Sequence, residues 1–246
     1  GNASVATPVK YVTILDDDKH NISGAGYLMA SPDDDTIRGS AGSDEIWAGG
    51  GNDVVFAGDG NDNVSGGPGA DTIDMGKGQA WVDGGTGSDT LTLDLSNSPY
   101  SLTYSFGNGA GVFAGNANYT VDFNSLRSAL AGVSEFWIYD GYGHSAQFRN
   151  VETVNLKTGS SHDLLIYHGG TASYDGGTGT DTFYADFSSA TSALAWDADT
   201  GSFSPVDGMT VANIERFLLV ATSSNDVVKA TTGDQSHHVD GGAGND

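Results

Sequence analysis

The sequence has no cysteine, nine Lys and Arg combined, four Glu and five Pro in 246 residues. Without thiols there are no disulfides, no thiol redox chemistry and no cysteine-ligated zinc. Nine basic residues against 32 acidic ones give a formal charge of −23, which argues against nucleic acid or an anionic membrane as partner. No apolar run approaches the ~18 residues of a membrane span, and no signal-peptide pattern opens the chain. Gly1 stands where Met would, so the expectation is a processed or excised piece of a larger protein. The length suits one elongated domain or two compact ones, with enough chain to bury a core.

What the sequence has instead is aspartate and glycine. There are 28 Asp to the four Glu, and 37 Gly. A merely acidic surface would use both acids, and helices would favour Glu. Asp beside Gly belongs to tight loops and to hard-cation ligation. Disorder, the other common reading of acidic Gly-rich chains, is opposed by the aromatic content and by regularly placed β-branched residues.

From position 30 the chain falls into nonapeptides: ASPDDDTIR, GSAGSDEIW, AGGGNDVVF, AGDGNDNVS, GGPGADTID, MGKGQAWVD and GGTGSDTLT. The sixth position reads Asp35, Asp44, Asp53, Asp62, Asp71, Ala80, Asp89. The eighth reads Ile37, Ile46, Val55, Val64, Ile73, Val82, Leu91. Low-complexity sequence would not hold the aliphatic in step with the acid. The pattern returns at 158–184, with Asp163, Ala172 and Asp181 in register. It returns again at 221–246, with Asp226 and a final GGAGND that ends at Asp246 inside a repeat. That ending carries the expectation that a parent protein continues further.

These residues resemble the RTX, or haemolysin-type, calcium-binding repeat GGxGxDxUx. The resemblance implies an all-β fold: a right-handed parallel β-roll in which two nonapeptides make one coil and calcium ions sit between the loops of successive coils. It places the calcium loops on Asp35; on Ser40, Gly42 and Asp44; on Gly49, Gly51 and Asp53; and on Gly58, Gly60 and Asp62. Further loops fall on Gly66, Gly67, Gly69 and Asp71, and on Gly84, Gly85, Gly87 and Asp89. The later blocks contribute Asp163, then Gly176, Gly177, Gly179 and Asp181, then Asp226 and Asp246. Glycine lets loop carbonyls turn toward an ion, and Asp is a short anionic ligand suited to Ca²⁺. Stacked carboxylates without metal would repel one another, so folding should be linked to calcium.

With two nonapeptides per coil, Asp35, Asp53, Asp71 and Asp89 form one column, with three calcium sites between them. Asp44 and Asp62 begin a second column of one or two sites, which Ala80 breaks. The first repeat lacks both glycines, so the site using Asp35 is the weakest, with Asp33 and Asp34 as compensating acids.

The expected organisation is a cap or linker at 1–29, repeat blocks at 30–94, 158–188 and 221–246, and β-rich inserts at 95–157 and 189–220. YVTIL (11–15) reads as a strand and DDD (16–18) as a turn or further cation site. The first insert holds 11 of the 24 aromatics. In it YSLTYSF and NYTVDF alternate like half-buried strands. NSLRSALAG reads as a helix capped by Asn124, with Leu126 and Leu130 on one face and Gly132 as its stop. FRNVETVNL and VANIERFLL end the two inserts alike and return the chain to the roll.

Enzymatic readings fare poorly. No HExxH zinc-protease motif occurs. GHSAQ (143–147) half resembles GxSxG around Ser145, but Gln147 replaces the second Gly and a β segment follows. His144, His162, His168, His237 and His238 are scattered, and loop or surface roles suit them better than a transition-metal site. The reading is therefore a non-enzymatic calcium-binding module of a larger bacterial protein, secreted or at the cell surface. By resemblance it leaves by type I secretion and serves in an adhesin, S-layer or exoprotein, with several Ca²⁺ ions and possible self-association. The alternative is a calcium-dependent glycan-binding module using the aromatic insert 95–150.

Overall fold

A computed structural model describes residues 21–116, 118, 121–197, 208–229 and 237–246, with the backbone of 11–13 and 202–204 in addition. The DDD at 16–18 lies outside the described residues. The repeat dictates the architecture. Position eight of the seven nonapeptides from residue 30 points inward, and these aliphatics, from Ile37 to Leu91, are at most 1% exposed. Their strands pair in parallel with partners 18 residues away: Ile37 with Val55, Val55 with Ile73 and Ile73 with Leu91 in one sheet, Ile46 with Val64 and Val64 with Val82 in the other. The result is the all-β parallel roll that the resemblance implies, two nonapeptides to a coil.

The described residues place nine strands in the first sheet and eight in the second. Asn21–Ser23 and Tyr27–Met29 add a coil ahead of the first repeat, although neither carries repeat residues. The segment expected as a cap is thus itself built, in part, as roll, and its strands cover the edges of Thr36–Arg38 and Glu45–Trp47. Tyr11–Thr13 pairs with Tyr27–Met29 outside it.

Both inserts return the chain to parallel strands. Ser145–Arg149 rejoins the first sheet beside Lys77–Thr86, and Thr153–Lys157 rejoins the second beside Thr90–Asp94. The corner between them is Asn150 at φ 51, and Asn213 at φ 55 makes the equivalent corner of the second return. Asn tolerates this left-handed backbone better than other L-residues. Each corner side chain donates to an aspartate of the preceding coil, Asn150 to Asp83 and Asn213 to Asp175, both at 2.7 Å.

The first insert continues the first sheet with antiparallel strands, Glu135–Tyr139, Thr103–Phe106 and Val112–Ala114. Tyr104, Phe106 and Phe148 are buried, so most of its aromatics build a core. NYTVDF forms no strand among its described residues, because Phe123 already belongs to a helix, Phe123–Leu130. The cap of that helix is Asp122, whose carboxylate accepts from Ser125 N, rather than Asn124. An aspartate two residues upstream wins because its short side chain reaches the N3 amide while Asn124 is already helical. Leu126 is buried on the inner face, and Gly132 follows the helix at φ 71.

Beyond the insert a third sheet, Leu164–Ile166, Thr182–Asp186, Arg216–Val220 and His238–Asp240, takes the place of the first. The helix rests on it. Phe123 packs on His238 at 4.1 Å, Arg216 donates to the Val121 carbonyl and Arg127 pairs with Asp240. No helix among the described residues is long and apolar enough to cross a membrane.

Candidate metal centre

Each coil ends its loop on the position-six aspartate, and successive coils set these acids one above another. The contact between them is a hydrogen bond. Asp35 N donates to Asp53 Oδ1 at 2.7 Å, Asp53 N to Asp71 Oδ1 at 2.9 Å and Asp71 N to Asp89 Oδ1 at 2.8 Å. The same bond links Asp44 to Asp62, Asp163 to Asp181 and Asp226 to Asp246. The predicted columns are therefore real neighbours, and the two later blocks repeat the arrangement of the first.

One carboxylate oxygen is consumed in this way. The other is buried and has no partner in Asp53, Asp62, Asp71, Asp89, Asp163 and Asp181. A buried acceptor left unsatisfied is costly, more so when it carries charge. Burial pushes the Asp53 and Asp181 carboxyls up to about 7, and those of Asp62 and Asp89 to about 6. Neighbouring carboxylates add to this, Asp71, Asp35 and Asp34 at Asp53, against the lowering effect of the amide bond from the adjacent coil. Asp71 and Asp163 are raised by burial too.

Space is kept open beside these oxygens. A Cβ on Gly66 would lie 2.4 Å from Asp71 Oδ2, and one on Gly84 or Gly176 would lie 2.8 Å from Oδ2 of Asp89 or Asp181. Stacking explains the other glycines. A Cβ on Gly67 would sit 1.9 Å from the Gly49 carbonyl oxygen, and one on Gly69 would sit 1.7 Å from that of Gly51. Gly85, Gly87, Gly177 and Gly179 meet the preceding loop in the same manner, as do Gly49, Gly51, Gly58 and Gly60 one coil earlier. Loop carbonyls and a naked carboxylate oxygen are thereby packed into one shell.

Among the described residues, no three His, Asp or Glu side chains converge on a possible metal position. An ion here must take most of its ligands from backbone carbonyls, with a carboxylate supplying charge. That donor set suits a hard cation with six to eight oxygens and does not suit zinc, copper or iron. The residues fit Ca²⁺.

Three predicted ligands differ from the rest. Asp35 Oδ2 accepts from the amide and hydroxyl of Ser31, at 2.9 and 2.7 Å. Asp44 Oδ2 accepts from Ser40 N and Oγ, so Ser40, expected within a calcium loop, is committed to a local bond. Asp226 is held likewise by Thr222. In each case an alcohol side chain replaces the position-two glycine in the first loop of a column. Asp35, expected to make the weakest site, has its second oxygen taken by Ser31, and Asp34 supports the stack by accepting from Asn52 N.

Sequence reasoning passed over two acids. Asp89 N donates to Glu152 Oε2 at 2.8 Å and Asp181 N to Glu215 Oε2 at 2.7 Å, so a glutamate stands where the next aspartate would be. The signal was the shared Asn-(Val/Ile)-Glu of the two return segments. The inserts also dock through the ladder: Leu102 N binds Asp163 Oδ1 and Leu194 N binds Asp226 Oδ1.

Among the described residues the histidines form no cluster. His144 is tied to Asp140 at 2.6 Å, and His168 is wedged against Phe136 and Phe148 with burial pushing its pKa down to about 3. His168 is thus a packing residue rather than a surface one. Ser145 opens a strand, not the strand-to-helix turn that a hydrolase nucleophile needs.

Stacked aspartate loops on a parallel roll define a calcium-binding solenoid. Residues 29–64 and 52–82 match the RTX calcium-binding nonapeptide repeat, in four copies, so this part of the chain is made of RTX repeats, which bind calcium. That repeat family is a structural calcium-binding module rather than a catalytic one. No curated protein matches the chain.

Proposed function

We propose that the chain is the calcium-dependent β-roll module of a larger bacterial protein, secreted or displayed at the cell surface, and that it folds on calcium after export. Six buried carboxylate oxygens without a partner, all on position-six aspartates of the repeats, carry this reading. Calcium would supply the missing partner and offset the repulsion within each column. The ions belong with Asp53, Asp71 and Asp89 in the first column, Asp62 in the second, and Asp163 and Asp181 in the third. Asp35, Asp44 and Asp226, satisfied by Ser31, Ser40 and Thr222, close the column starts without metal. Affinity per site is modest, about 10⁻⁴ to 10⁻³ M as in other extracellular modules, with cooperativity through the shared stack. The role is structural: a rigid spacer or assembly element, inert until it meets a calcium-rich medium.

Far-UV circular dichroism during a calcium titration, with magnesium as control, tests this. A coil-to-β transition with calcium and none with magnesium is the expected result. Full β structure in excess chelator overturns the folding switch.

A further inference from the structure

The outer face of the first sheet carries an open groove that touches the calcium ladder at Asp62. Along each strand, residues flanking the buried position-eight aliphatic point to solvent. Pairing aligns them into rows that cross from the roll into the insert. Asn63 lies beside Trp81, Trp81 beside Gln147 and Gln147 beside Trp137. In the next row Asn61 lies beside Gln79. These six residues line one open groove of about 700 Å³. The aromatic insert supplies only one wall of it; the repeats supply the other.

The lining has a definite chemistry. Trp137 is 43% exposed, and Trp81 lines the groove with the Arg149 guanidinium over one face of its ring, 5.1 Å from the centroid. Two strand spacings separate the two tryptophans in their row, about 9–10 Å. The side-chain amides of Asn61, Asn63 and Gln79 are exposed and have no hydrogen-bond partner among the described residues. Around the groove Arg149 is paired with Asp83, His144 is hydrogen-bonded to Asp140, and Asp62 belongs to the calcium ladder.

We propose that this groove binds an uncharged polysaccharide, with Trp81 and Trp137 stacking on sugar rings and Asn61, Asn63 and Gln79 hydrogen-bonding their hydroxyls. Aromatic faces suit the C–H face of a pyranose, and amides offer both a donor and an acceptor to hydroxyl groups. The groove is open, so a chain can run through it. A polyanion finds no Lys or Arg lining the groove and meets the field of a chain at −23. The inference does not rest on calcium being the folding trigger, since the rows are fixed by strand pairing.

Affinity electrophoresis of the whole chain in calcium tests it, with gels containing hydroxyethyl cellulose, mixed-linkage β-glucan, xylan or dextran, and alginate as the anionic comparison. Retardation by at least one uncharged polymer is expected. Trp137→Ala and Trp81→Ala should each weaken it tenfold or more, and Asn63→Ala severalfold. Tyr100→Ala, an exposed aromatic outside the groove, should leave it unchanged. Circular dichroism in calcium establishes that each variant folds, whatever the chelator experiment gives. No retardation by any uncharged polymer, retardation by alginate alone, or retardation indifferent to Trp137→Ala would overturn the proposal.

Discussion

Substituting Gly67 by alanine tests the stacking of the loops most directly. Its φ of +108 is a backbone conformation that L-residues rarely adopt, and the added Cβ would lie 1.9 Å from the Gly49 carbonyl oxygen. Positive φ costs about 1–2 kcal/mol for a residue with a side chain. Forcing a backbone carbonyl out of a packed shell adds about 1–3 kcal/mol, as in other overpacked sites. The sum is about 2–5 kcal/mol, a large share of a typical domain's stability. The control is Gly42→Ala, at a position-four glycine of the repeat. Its Cβ would meet only Ser40 Oγ, at 3.7 Å, and its φ is not in the left-handed region. That change should be neutral, or stabilising by about 0.4–1 kcal/mol through the unfolded chain. Urea unfolding in saturating calcium should show the midpoint of Gly67→Ala lowered by about 1 M or more, with Gly42→Ala at or above the parent. Equal midpoints for the two variants would refute the argument that the preceding coil dictates these glycines.

Four further outcomes follow from the carboxylate ladder. Asp53→Asn should stabilise the chelated protein at pH 7.5 by on the order of 2–4 kcal/mol, because a desolvated carboxylate raised to about 7 is removed, while calorimetry in calcium shows lost sites. Asp35→Asn, by contrast, should leave calcium stoichiometry unchanged, since Ser31 already satisfies that oxygen. The pH dependence has a definite sign. The raised carboxyls hold protons in the folded state that the unfolded chain releases above about pH 4, so metal-free stability should fall as pH rises from about 4 to about 7. Calcium affinity should move the opposite way, weakening as pH drops below about 6; thermal melts with and without chelator at several pH values check both. Finally, Glu152→Ala should lower calcium affinity at the last site of the first column more than Glu152→Gln, which keeps an oxygen for the Asp89 amide.

The roll was legible because its information is local and repeated. Val55, Val64 and Ile73 each announce an inward position, and Asp53, Asp62 and Asp71 each announce a loop. An 18-residue coil then follows from two loops per turn. The insert was only partly legible. Its aromatics signalled a core, yet the antiparallel register of Phe136 against Phe106 and Phe148 depends on contacts that no periodicity encodes. Asp122 was passed over as a cap because Asn124 is an equally good capping residue in isolation. Ser31 and Thr222 look like degenerate repeat positions until their hydroxyls are seen on Asp35 and Asp226. Glu152 and Glu215 sit 63 and 34 residues from the amides they serve, beyond the reach of any register argument. The groove shares that difficulty, since its two tryptophans come from segments that meet only after the insert has folded back.

The Asn-(Val/Ile)-Glu corner has a bearing on how such a chain can change over time. It restores the strands and the acid ladder after excursions of very different length, each of which meets the ladder through a backbone amide, Leu102 or Leu194. The coil behaves as a rail, and each corner as a socket into which foreign sequence can be plugged. Replacing residues 95–144 with an unrelated domain whose ends lie close together should leave the strands on either side aligned. Grafting at these corners is therefore the natural route by which one scaffold acquires new cargo.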